Sequence, residues 1–254
     1  MTILFPLAVA LLGLMIGSFL NVCIHRMPRQ QSVVTPRSRC TRCGTLIAWY
    51  DNLPVLSWVI LGGRCRSCRE PISARYVYVE LVTAAVFAVH ALVIGPEPVL
   101  LSRLCLAAIL IALFVIDLEH QILPDALTLP GIAIGLASAL VWPPFIQSSV
   151  IGAALGAGIL LAIRWAWMRA YGVDAMGLGD VKMLAMIGAF LGWQSVWLVL
   201  LLGSVSGAIV GLALAARGRG TLKTKLPFGT FLAIGALVAS LWGNDMLSWY
   251  LSKF

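Results

Sequence analysis

Charge is what this chain is short of. Lys, Arg, Asp and Glu make up 11% of its 254 residues, while 61% are hydrophobic. A soluble domain carries about 25% charged residues, so an ordinary soluble globule is excluded. Acidic residues are the scarcest, ten in all, and each one beside an apolar run stands out. The chain also lacks a basic segment ahead of its first apolar run, where the first cationic side chain is Arg26. A cleaved secretory leader wants a positive n-region and a small-residue cleavage site. Residues 1–22 therefore read as a retained transmembrane helix.

What is present in quantity is long apolar sequence. About 20 apolar residues cross a bilayer as a helix. On that measure an all-α polytopic membrane protein of about eight spans is expected, at 2–22, 76–95, 99–116, 126–142, 149–168, 181–191, 195–215 and 228–243. The net charge of +8 is distributed by topology. With the N-terminus outside, the inner segments are 23–75, 117–125, 169–180 and 216–227. Of the 18 Lys and Arg residues, only Arg103 and Lys253 fall away from those segments. Excess Lys and Arg mark cytoplasmic loops, so an N-out, C-out arrangement follows, with the large loop in the cytoplasm. The same count accounts for the arginines without nucleic acid, and no basic-aromatic interleaving suggests a nucleic-acid partner.

Four of the six cysteines lie in that loop as Cys40-x-x-Cys43 and Cys65-x-x-Cys68. Two such knuckles supply four thiolates, enough to close a structural tetrahedral zinc (Zn2+) site. A disulfide pair is disfavoured in a reducing compartment. Cys23 and Cys105 adjoin apolar runs and read as small buried hydrophobes. Between the knuckles, the apolar stretch Leu53–Leu61 is too short to span and is expected to pack on the metal module or at the membrane surface.

Two carboxylates occupy costly positions. Asp117 ends the run Leu104–Ile116, in Asp117-Leu-Glu-His-Gln-Ile-Leu-Pro-Asp125. Asp180 opens Val181–Leu191, in Gly177-Leu-Gly-Asp-Val-Lys182. An ionisable residue at mid-bilayer costs about 2.5–3.5 kcal/mol on insertion scales and is a functional candidate by default. The topology puts both at one depth, on the inner side. Two adjacent carboxyls share a proton, one activating water and the other protonating the attacked carbonyl. Paired intramembrane acids also build proton or ion pathways in transporters, and spacing alone leaves both readings open. Gly177 and Gly179 clear space beside Asp180, Pro124 fixes the turn before the fourth span, and Lys182 either tunes the Asp180 charge or reaches the interface. Glu119, His120, Asp125 and Asp174 read as interfacial or loop-shaping groups, and His25 and His90 as structural.

These motifs, taken together, resemble the bacterial type IV prepilin peptidases, the leader peptidase/N-methyltransferases. The resemblance runs over nearly the full length. It includes Gly17-Ser-Phe-Leu-Asn-Val-Cys-Ile-His-Arg-Met-Pro28, both cysteine knuckles, Asp51-Asn-Leu-Pro54, Ile72-Ser-Ala-Arg-Tyr76 with Glu80, both aspartate motifs and Pro227-Phe-Gly229. It implies a GxGD-type aspartyl protease of the inner membrane, with Asp117 and Asp180 as catalytic pair. The substrates would be prepilins or pseudopilins, cut at the cytoplasmic face. It further implies N-methylation of the new terminus from S-adenosylmethionine, although no Gly-rich fingerprint marks a donor site. The family carries a Gly-Lys pair before the third cysteine, where this chain has Gly63-Arg64. Members without the cysteine loop are usually peptidase-only, and this chain has the loop. The domains expected are a first helix at 1–22, a zinc-binding and methyltransferase loop at 23–75, and a protease bundle at 76–254.

Overall fold

The computed structural model describes residues 3–173, 176–217 and 226–253. Asp174 lies outside the described residues, as do Arg219, Lys223 and Lys225, three of the basic residues counted for topology. Regular structure among the described residues is helical apart from two isolated β-bridges. The helices are α1 Leu4–Arg26, α2 Leu56–Ile60, α3 Arg75–Ile94, α4 Val99–His120, α5 Asp125–Ser138, α6 Phe145–Tyr171, α7 Leu178–Leu191, α8 Trp193–Ala216 and α9 Phe228–Leu251. They fall into two units, Met1–Leu100 and Leu101–Phe254.

In the first unit α1 packs along α3. Lipid tails are as apolar as leucine, so helices in a bilayer associate by close packing and polar contacts. Gly13 and Gly17 form a GxxxG stripe on α1. A Cβ at Gly13 would stand 2.7 Å from the Cα of Ala84, and one at Gly17 2.7 Å from the Cα of Glu80. One turn on, the buried Asn21 donates from Nδ2 to the Tyr76 carbonyl at 3.0 Å. Leu53–Leu61 contributes only the short helix α2, whose Trp58 donates from Nε1 to the Ile72 carbonyl. That segment packs on the cysteine module, as its length requires.

The second unit is organised around α7. Ten of its 14 residues are buried, Val181 and Met183 to Leu191. A helix apolar on all sides belongs inside a bundle. Its neighbours approach through two more GxxxG stripes, Gly131 with Gly135 on α5 and Gly152 with Gly156 on α6. At Gly135 an added Cβ would meet Phe190 at 2.9 Å, and at Gly156 the Leu184 carbonyl at 2.6 Å. Arg103 on α4 donates to the Phe190 carbonyl at 2.8 Å, satisfying a terminal acceptor of α7.

Among the described residues, six helical segments are long and apolar enough to cross a membrane: Leu4–Arg29, Arg75–Ile94, Val99–His120, Phe145–Tyr171, Trp193–Ala216 and Phe228–Leu251. The fourth and sixth expected spans correspond to α5 and α7, of 14 residues each. At about 1.5 Å per residue they are about 21 Å long, against a hydrocarbon core of about 30 Å.

Candidate active site and metal centre

Asp117 lies in the last turn of α4 and is buried, 5% exposed. Its Oδ2 accepts two hydrogen bonds from one residue, the Thr230 backbone N–H at 2.7 Å and the Thr230 hydroxyl at 3.1 Å. Thr230 is the third residue of α9, whose N-cap is Pro227. The first N–H groups of a helix have no partner within it, and the helix dipole favours an anion there. Asp117 thus caps α9 from another helix. Gly229 makes the approach possible, since its Cβ would stand 3.0 Å from Asp117 Oδ2.

Asp180 sits in the first turn of α7, behind the N-cap Gly177. Its carboxylate and that of Asp117 are within electrostatic reach of one another. The side chain of Leu123, in the turn between α4 and α5, stands against Gly179 of α7 and Gly229 of α9. A Cβ at Gly179 would lie 2.9 Å from Leu123 Cβ, and one at Gly229 2.9 Å from Leu123 Cδ1. Gly177 is different, because a Cβ there would make only an ordinary 3.7 Å contact with Asp180 Oδ2. Of the two glycines before Asp180, only Gly179 is demanded by packing.

The remaining motif residues have distinct places. Pro124 is the N-cap of α5, its carbonyl accepting from Leu127 and Thr128. Lys182 turns to Asp125, with Nζ at 2.7 and 2.8 Å from the two carboxylate oxygens, and so clasps α7 to α5. Glu119 and His120 stand 3.9 Å apart at the end of α4. Thr230 and Leu123 had not been singled out from sequence. The only hint was Pro227-Phe-Gly229, which opens α9 as an N-terminal proline does.

In the first unit the Sγ atoms of Cys40, Cys43, Cys65 and Cys68 all lie within 4.8 Å of one another. Cys40 and Cys68 are 3.8 Å apart. Four sulfurs at about 2.3 Å from a tetrahedral zinc are spaced about 3.8 Å from each other, so the cluster fits that ion. The thiols differ in isolation. Thr45, through its hydroxyl and its backbone, brings the Cys43 thiol down to about 6. Backbone N–H groups of Cys68 and Ser67 lower Cys65. Cys68, although the Glu70 N–H favours its thiolate, is pushed up to about 12 by desolvation and the crowded neighbouring sulfurs. Four thiolates this close need a cation between them.

The two knuckles repeat one backbone design with an offset of 25 positions. Cys40 N–H donates to the Thr45 carbonyl as Cys65 N–H donates to that of Glu70, both at 2.9 Å. Ile47 N–H reaches Ser38 as Ile72 N–H reaches Gly63. The bridge Arg39 to Leu46 matches Arg64 to Pro71. Gly63, with φ of +66°, lies against the Trp58 ring, and Arg64 stands in the second bridge. Asp51 binds the adjacent Arg66 through both carboxylate oxygens, at 2.6 and 2.8 Å, and this guanidinium holds its carboxyl below the usual range.

Residues 11–94 match the bacterial peptidase A24 N-terminal domain, and residues 104–212 match the type IV leader peptidase family. A prepilin leader peptidase/N-methyltransferase of Aeromonas hydrophila is 40% identical over 97% of this chain and 93% of its own length. This chain belongs to the type IV leader peptidase family. The like-named protein of Myxococcus xanthus is 43% identical over 87% of the chain and 67% of its own length. That of Pseudomonas aeruginosa is 36% identical over 97% and 93%. No solved structure matches the chain. Family membership makes the chain an enzyme, a peptidase and methyltransferase embedded through its apolar helices.

Proposed function

We propose that this enzyme removes the leader from type IV prepilins or pseudopilins at the cytoplasmic face of the bacterial inner membrane, and then N-methylates the new terminus. Asp117 and Asp180 are its catalytic pair. The observation that carries this reading is the buried Asp117 carboxylate, held by Thr230 at the start of α9 and within electrostatic reach of Asp180. One carboxylate takes a proton from water as it attacks the scissile carbonyl. The other, protonated, donates to the carbonyl oxygen and recovers that proton as the tetrahedral intermediate collapses, while the first passes the water proton to the leaving amine. Proton exchange belongs to the pair. Lys182 and Asp125 hold α7 to α5 around it.

The spans run N-out to C-out, with α5 and α7 completing eight crossings. Local thinning or flanking residues cover the depth that two 14-residue helices leave. The loop 23–75 is the methyltransferase module, one structural Zn2+ on Cys40, Cys43, Cys65 and Cys68 fixing its shape. S-adenosylmethionine supplies the methyl group when bound, and Gly63-Arg64 belongs to the module that takes it.

Coexpression with a prepilin tests the reading. Wild-type enzyme should shorten the pilin and add one methyl group to its N-terminus, read by mass spectrometry. Asp117→Ala and Asp180→Ala should be folded and leave the leader in place. Normal shortening by both would refute the dyad.

A further inference from the structure

Within the first unit the short helix α2 turns its apolar side outward. Leu56, Val59 and Ile60 are 54%, 62% and 71% exposed, at spacings of three and four that put them on one helix face. Every exposed residue of α2 is apolar. Its other side is occupied, because Trp58 donates from Nε1 to the Ile72 carbonyl and lies against Gly63. An exposed face made of apolar side chains marks a contact surface.

We propose that this face is laid into the cytoplasmic leaflet of the membrane, with the arginines of the cysteine loop resting on anionic lipid headgroups. The inference rests on the membrane reading above, which puts the loop at the inner ends of α1 and α3. Depth is the first reason to choose lipid as the occupant. Val55, the N-cap of α2, donates its N–H to Glu80 Oε2 at 2.7 Å. Glu80 is buried and is the sixth residue of α3, about 7.5 Å along the axis from the helix start. The beginning of α2 is therefore held beside the first turns of a membrane helix. Interfacial helices bury their apolar face at that level, about 5–10 Å into the boundary of headgroups and acyl chains. Val55 has φ of +59°, which a β-branched residue adopts only where its surroundings hold it. The Glu80 bond holds that turn in place.

Charge is the second reason. Residues 23–75 hold nine arginines against two acids, Asp51 and Glu70. A zinc ion with four thiolates carries a charge of only about −2, so the loop stays strongly positive. Anionic lipids of the inner leaflet attract basic segments next to a span. A cavity of about 350 Å3 beside the C-terminal half of α1 joins the two properties. Arg26 and Arg37 line it with no acidic side chain, and Phe19, Val22 and Trp49 form its apolar wall. Arg26 commits one N–H to the Ser32 carbonyl at 2.9 Å. Arg37 makes no hydrogen bond or ion pair among the described residues. A lipid phosphate suits the two guanidinium groups, and an acyl chain suits the wall. Laid down in this way, the loop is kept in the plane of the bilayer surface, where the proposed substrate is cut.

Photocrosslinking of the full-length protein in lipid nanodiscs tests this. With p-benzoylphenylalanine introduced at Val59 or at Ile60, and zinc content unchanged, illumination should attach phospholipid to the loop, read by mass spectrometry. The discs for this arm contain phosphatidylglycerol and phosphatidylethanolamine. Discs of phosphatidylcholine alone should lower the yield at least threefold, because the headgroup charge is gone. The same probe at Leu11, exposed on α1, should take lipid equally in both discs. Attachment of Val59 and Ile60 to peptides of the second unit, Leu101–Phe254, would overturn the proposal, since protein would then cover the face. Lipid at Leu11 with none at either loop position would also overturn it, leaving α1 a span and the loop off the membrane. Equal loop yields in the two discs would remove the role of the arginines. No lipid at Leu11 would overturn the membrane reading itself.

Discussion

Thr230 gives both its backbone N–H and its hydroxyl to one oxygen of Asp117, across 113 positions of sequence. The arrangement does two things at once. It satisfies a terminal donor of α9, and it fixes one of the two oxygens of the proposed catalytic carboxylate. A hydrogen bond to a charged group is worth about 1.5–3 kcal/mol. Thr230→Val keeps the shape and the N–H but loses the hydroxyl, so leader cleavage should fall about tenfold, mostly in kcat. Thr230→Ser should stay within a few-fold of wild type. Kinetics on a purified prepilin decide it: equal loss in both variants would make the contact a matter of packing and not of the hydroxyl.

Leu123 sits against the glycine before each of two motifs, Gly179 ahead of Asp180 and Gly229 ahead of Thr230. Adding a methyl group into a filled contact costs about 1–3 kcal/mol. Gly179→Ala should therefore lower thermal stability and cleavage, and Leu123→Ala introduced with it should recover part of the loss. Residues in direct contact give non-additive changes. Gly177→Ala, where the added atom meets only an ordinary contact, should be close to neutral. Additive damage from Gly179→Ala and Leu123→Ala would show that the collision is elsewhere.

Much of this was legible in sequence, for physical reasons that can be named. Scarce charge and long apolar runs announced the helices, and two CxxC pairs announced the metal cluster. Asp117 and Asp180 stood out because acids are costly beside apolar runs. Span length was less legible at α5 and α7, which at 14 residues each are shorter than a hydrocarbon core, and at α7 burial by neighbouring helices accounts for the apolar composition. Thr230 and Leu123 were invisible because an ordinary threonine and leucine carry no signal until tertiary structure brings them to an aspartate. The 25-position knuckle repeat escaped notice since backbone bonds, more than identical residues, are what repeat. Lys182 was given two roles, and its partner proved to be Asp125.

That repeat makes a prediction of its own. The position four after the leading cysteine has positive φ in both knuckles, +72° at Gly44 and +60° at Arg69. A side chain in the left-handed region costs about 1–2 kcal/mol. Arg69→Gly should make the second knuckle as relaxed as the first and slow zinc loss to a chelator. The converse change, Gly44→Arg, should speed it. Identical release rates for wild type and Arg69→Gly would mean that the second knuckle is not strained by its arginine.

Acid should act on the loop through its cysteines and not through its ion pair. The Asp51 carboxyl is lowered by Arg66, so the stability it adds is fully present above the ordinary carboxylate value of about 3.9 and is lost only as pH falls below that, through its own lowered value. It is therefore constant from pH 5 to 8. Thiolates bind metal and protons compete for them, and the Cys43 thiol stands at about 6 in the absence of metal. Zinc content after dialysis should hold at about one per chain near pH 8 and decline towards pH 5. Asp51→Asn should lower zinc retention by the same factor at every pH in that window. A difference that vanishes by pH 5 would place the Asp51 titration inside it.

The Lys182 to Asp125 pair separates two roles for a lysine two residues from Asp180. If it acts as a clasp between α7 and α5, its worth is that of an exposed ion pair, about 0.2–1 kcal/mol and screened by salt. Lys182→Gln and Asp125→Asn should then have equal, small effects on cleavage, less than about fivefold, and the double variant should be no worse than either. If the ammonium instead set the charge at Asp180, Lys182→Gln would be far more damaging than Asp125→Asn, because only the former removes the cation. The bond lengths of 2.7 and 2.8 Å to both oxygens of Asp125 favour the clasp. High salt should then weaken wild type towards the single variants while leaving the variants unchanged.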